Sequence, residues 1–112
     1  MSETLVPYLS AFLLTQLVET PIYRRFAPTT WMRAFLASAI THPIVWFVFF
    51  SERVPLDYEE KYVLAETFAV VVEALWMMRC EVRAERAFVL SFAANLASVL
   101  VGEVSRALVG WP

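Results

Sequence analysis

Residues 5–23 read LVPYLSAFLLTQLVETPIY, an apolar run that carries a single charge, the acid Glu19. A helix needs about 20 such residues to cross the hydrocarbon of a bilayer, within a range of ~17–25. At ~1.5 Å per residue this run extends ~28 Å, close to the thickness to be crossed. Three further runs follow, at 34–50, 62–78 and 87–104. None alternates apolar with polar residues as a membrane barrel requires, and a segment in lipid has to satisfy its own backbone, which selects helices. The expected fold is therefore all-α, with four transmembrane helices forming one integral membrane domain over residues 1–112. The second and third runs are short and are expected to borrow flanking residues.

Composition agrees. Of 112 residues, 60% are hydrophobic and 18% charged, against about 25% charged in ordinary soluble domains. The charges are gathered between the runs. The first run lacks a basic leader and ends in Tyr23-Arg24-Arg25, so it reads as a retained helix rather than a cleaved signal. A single cysteine, Cys80, excludes an intrachain disulfide and a multi-thiolate metal site. No basic patch interleaved with aromatics is present, so a nucleic-acid partner is not expected. No Gly-rich phosphate loop, zinc-protease pattern or Ser/His/Asp arrangement occurs, so catalysis is not expected either.

The loops set an orientation. The first contains Arg24, Arg25 and Arg33 without an acid, and the third contains Arg79, Arg83 and Arg86 beside Glu81 and Glu85. The second holds Arg53 and Lys61 against Glu52, Asp57, Glu59 and Glu60. Six Lys and Arg on one side against three on the other place both termini and the acidic loop outside. Short loops make neighbouring helices antiparallel, giving two hairpins.

Those hairpins match each other. The first reads Val18-Glu19, Arg25, Arg33-Ala34-Phe35, Ser38 and His42; the second reads Val72-Glu73, Arg79, Arg86-Ala87-Phe88, Ser91 and Asn95. The offset is 54 before the loop and 53 after it. A parallel repeat of this kind relates its halves by an axis along the membrane normal, and transporter sites lie where such halves meet. Duplication is equally a way to complete a four-helix bundle.

Within the runs, Glu19, Glu66, Glu73, His42 and Asn95 are the candidate site residues. A charge at a helix centre costs about 2.5–3.5 kcal/mol on insertion scales, so these groups should face the bundle interior or a wet cavity. Counted from the loop arginines, Glu19 and Glu73 lie ~9 Å deep, and His42 and Asn95 ~13 Å deep. Helical spacing puts Phe12, Thr15, Gln16 and Glu19 on one stripe, and Glu66, Val70 and Glu73 on another. Ser91, Asn95, Ser98 and Gly102 form a small-polar stripe suited to close approach. Glu19, Glu73 and His42 together would suit a divalent metal ion or a proton relay, with Asn95 and Glu66 supporting. The competing reading is that each polar group satisfies a neighbour and fixes helix register.

Pro21 and Pro43 each remove one backbone hydrogen bond and are expected to bend the first hairpin. Glu103 reads as interfacial, and Trp31, Trp46, Trp76, Trp111, Tyr23 and Tyr62 read as interfacial or structural aromatics.

Through Glu19-Thr20-Pro21, Thr41-His42-Pro43 with Trp46, Val72-Glu73-Ala74, and Ala94-Asn95 with Ser98, the chain resembles small four-span bacterial inner-membrane proteins of uncharacterised activity. The resemblance implies that location. In size, and in a glutamate within its first span, the chain is also similar to the small multidrug resistance transporters, an analogy of architecture only. The functional expectation is a cation- or proton-binding or transporting membrane protein, working as an oligomer. The alternative is an accessory or assembly subunit bound to a partner membrane subunit.

Overall fold

The computed structural model describes residues 2–112, with side chains from Leu5 onward. Four α-helices follow one another: α1 (Ser2–Phe26), α2 (Trp31–Ile44), α3 (Tyr58–Arg79) and α4 (Ala84–Val109), and no strand occurs among the described residues. Each helix packs on the next, and α4 returns to α1, so the four close into a ring. The helices outrun the apolar stretches at most ends, because capping continues into the flanking polar residues.

Those caps are legible chemistry. The Thr30 side chain accepts the Arg33 N–H at 3.2 Å to start α2. Asp57 starts α3 through a reciprocal box, accepting the Glu60 N–H at 2.8 Å while Glu60 accepts the Asp57 N–H. At the end of α3 the Val82 N–H reaches the Met77 carbonyl and the Glu81 N–H the Met78 carbonyl, both at 3.0 Å. This is a Schellman closure, with Glu81 in the left-handed region at φ 72° where glycine is usual. Val82, one residue on, is buried against Met77, and that contact secures the turn.

The prolines act unequally. α1 continues as α-helix through Pro21 to Phe26. After Pro43 the ladder of α2 widens into a π-helical segment, Val45–Phe49, closed by the Phe50 N–H on the Val45 carbonyl at 3.2 Å. The proline had already removed an N–H from this ladder, and the wider register follows within one turn.

By length and composition, Leu5–Phe26, Trp31–Phe49 and Ala84–Val109 are apolar enough to cross a membrane. α3 is long enough but not apolar enough, since Glu66 and Glu73 lie inside it and Lys61 and Arg79 bound its apolar stretch closely. Of the four expected spans, three are thus matched by helices long and apolar enough to cross.

Side chains are distributed opposite to a water-soluble bundle. Ala34, Ala37, Ala74, Ala87 and Ala94 are buried together with Ser38, Ser91, Glu19 and Glu73. Large apolar side chains point outward, among them Leu17 (62% exposed), Val89 (67%) and Phe92 (59%). Small residues inside let the helices approach closely enough for short polar side chains to reach across.

Candidate functional site: a buried carboxyl pair

Glu19 on α1 and Glu73 on α3 sit across the bundle from each other, 2% and 1% exposed. The ring brings donors to them from all sides. Ser38 of α2 donates to Glu19 Oε1 at 2.8 Å, and Ser98 of α4 donates to Glu19 Oε2 at 2.5 Å. Glu73 Oε1 accepts from the Tyr23 hydroxyl at 2.7 Å and from Asn95 Nδ2 at 3.2 Å, while Oε2 accepts from Thr41 Oγ1 at 2.8 Å. All five donors are uncharged. Asn95 also donates to the Ser91 carbonyl and accepts on its own carbonyl from Ser98, which ties the two carboxyl shells together.

Of the expected residues, Glu19, Glu73 and Asn95 converge. His42 does not. Its ring is held between Tyr8, Phe12 and Trp46, with centroids 5.1, 5.4 and 6.0 Å away, and its buried Nε2 has no hydrogen-bond partner. Successive helical residues point about 100° apart, so on α2 it is Thr41 that faces Glu73 and His42 that turns to the aromatics. Among the described residues no group of three or more His, Cys, Asp or Glu is placed to hold a metal ion. The expected metal set of Glu19, Glu73 and His42 is therefore not assembled. Glu66, about two turns before Glu73 on α3, stands apart from the pair on the wall of a cavity.

That cavity, about 680 Å³, opens on the side of the termini and the α2–α3 loop. Glu66, His42, Trp46, Tyr62 and Arg106 line it, and so does Ser98, whose hydroxyl holds Glu19. Glu103, as expected of an interfacial residue, is exposed; it pairs with Arg106 at 2.6 Å. At the opposite, arginine-rich end the bundle is closed by buried Tyr23, Ala27, Ala34, Met77, Val82 and Ala87. The carboxyl pair thus has a vestibule on one side and a packed plug on the other.

Tyr23, expected as an interfacial or structural aromatic, is instead a fully buried donor to Glu73, and Thr41 is a further donor that was not expected. Tyr23 follows Glu19 by one helical turn, and Thr41 follows Ser38 by three residues, so both lie on the interior stripes already marked by those residues. Gly102 was expected to permit close approach, yet an added Cβ would meet Leu14 Cδ2 at an ordinary 3.5 Å. The stripe of Ser91, Asn95 and Ser98 serves instead as a column of hydrogen-bonding groups.

No family model, no curated protein and no solved structure matches this chain.

Proposed function

We propose that the chain is a four-span membrane protein of the bacterial inner membrane whose Glu19–Glu73 pair binds a proton or small cation supplied through the vestibule. The observation that carries this reading is the pair itself: two adjacent buried carboxyl groups held by five uncharged donors and by no arginine, lysine or histidine. In a low dielectric two such groups do not both stay ionised alone. They share a proton or hold a cation. The outward-facing Leu, Val and Phe side chains support immersion in lipid, where α3, as the fourth span, turns Glu73 into the ring and Glu66 to the vestibule wall.

The burial pattern supports reading the hairpins as copies. Glu19 and Glu73, Tyr23 and Met77, Ala34 and Ala87, and Ser38 and Ser91 are matched by the sequence offset, and each pair is fully buried. The packing of α1 on α4 and of α2 on α3 is what a two-fold axis along the membrane normal generates.

The test is thermal stability of the purified protein over pH and a panel of monovalent and divalent cations. A ligand of the folded state raises the melting temperature by mass action. The wild type should respond to pH or to one cation, and Glu19→Gln with Glu73→Gln should abolish the response while retaining helical circular dichroism. A response that survives the double variant, or none in the wild type, removes the proposal. A second reading, an accessory subunit, draws on α3: Glu66 and Thr67 line an outer groove of about 440 Å³ with Phe92 and Leu96. A stoichiometric partner retained after mild detergent extraction would favour it.

A further inference from the structure

The six loop arginines are not used by the carboxyl pair, and two of them flank a crevice. Where α1 ends and α4 begins, Arg25, Phe26, Glu85, Arg86, Val89 and Leu90 enclose about 530 Å³. Its character changes along its length. Arg25, Phe26 and Arg86 stand at the loop end, and the apolar side chains of Val89 and Leu90 continue from them along α4 toward the middle of the bundle. Both cations are free for a ligand, because the one ion pair among the described residues joins Arg106 to Glu103. The Arg25 guanidinium lies over the Phe26 ring, 5.4 Å from its centroid, which keeps it beside the crevice.

We infer that this crevice binds one anionic phospholipid, with Arg25 and Arg86 on the phosphate, Phe26 beside it, and an acyl chain along Val89 and Leu90. Guanidinium forks match phosphate oxygens in paired hydrogen bonds. Basic residues at the inner membrane surface also meet anionic lipid there. Glu85, on the same rim, accepts from headgroup hydroxyls. The inference rests on the reading that these helices lie in a bilayer, with the arginine-rich end at the inner leaflet.

The repeat makes the site specific. Arg79 and Arg33 occupy the matched positions where α3 ends and α2 begins. There Trp76 donates its indole N–H to the Arg33 carbonyl at 2.9 Å and bridges the two helices. The matched residue on α1 is Ile22, which has no such donor. One copy of the arginine pair therefore has an open crevice and the other a tryptophan bridge.

Delipidated protein in an uncharged detergent is titrated with phosphatidylglycerol, with phosphatidylcholine of the same chains, and with glycerol phosphate, and bound adducts are counted by native mass spectrometry. Phosphatidylglycerol should give one adduct at least tenfold tighter than phosphatidylcholine. Arg25→Gln with Arg86→Gln should remove that preference, whereas Arg33→Gln with Arg79→Gln, an equal loss of charge, should leave it in place. Equal losses in the two variants would mean diffuse charge attraction and overturn the site. So would equal binding of the two lipids, or competition by glycerol phosphate as strong as by the lipid, which would make the ligand a soluble anion. A chain recovered from cells without any membrane association would instead defeat the membrane reading beneath it.

Discussion

A glutamate in the middle of an apolar helix is stable only if something replaces the water it has lost. Here hydroxyl and amide donors do so, and Tyr23 is the largest of them, fully buried with its phenol on Glu73 Oε1. Tyr23→Phe keeps the ring and removes the one donor. It should destabilise the protein by about 1–3 kcal/mol, the range for leaving a buried polar group short of a partner. Denaturant unfolding in detergent measures this, and a loss below a few tenths would show that the phenol is not bonded to the carboxyl. Glu19, Glu73 and Asn95 were legible in sequence because an ionisable or amide group in an apolar run has one energetically acceptable direction. Tyr23 was not, since a tyrosine near the end of a span serves an interfacial belt equally well. His42 and Thr41 are neighbours at the same depth, and choosing between them needs the rotation of α2, which periodicity over so few polar positions does not supply.

The helices were legible as elements because unbroken apolar runs of this length have few alternatives, and their ends were less so because caps extend them. α3 shows both sides. Its charged residues keep it out of the set of helices apolar enough to cross, yet its start is fixed by Asp57 and Glu60, an exposed capping box outside the apolar stretch. The Glu60 N–H and side chain beside Asp57 hold the Asp57 carboxyl below its usual value of 3.8. A lowered folded value means that the cap is complete above the ordinary value and is lost as pH falls through the folded one. Asp57→Ala should therefore lower the melting temperature at neutral pH and have progressively less effect below about pH 3.8. Thermal scans of both proteins across that window would show the two curves converging. Parallel curves would assign the loss to something other than the charged cap.

For the whole molecule, the vestibule at one end of the bundle and the plug at the other give Glu19 and Glu73 access from one end only, which in the proposed membrane setting is one side of the bilayer. The vestibule shares its end of the bundle with the C-terminus and the acidic loop, which the arginine bias leads one to expect outside. Val99 lines it, while Ala34 is fully buried in the plug at the other end. With Cys80→Ser as background, Val99→Cys should react with a membrane-impermeant maleimide added to intact cells whose outer membrane has been permeabilised. Ala34→Cys should stay unlabelled from either side until the protein is denatured. Labelling of Val99→Cys only in inverted vesicles would reverse the orientation while preserving one-sided access. Rapid labelling of Ala34→Cys in the folded protein would mean that the plug opens, and the pair would then be reached from both sides. A transporter needs such an opening at some point in its cycle, whereas a one-sided proton or cation site does not. The labelling of Ala34→Cys with and without a transmembrane pH difference therefore separates carriage across the membrane from binding at one face of it.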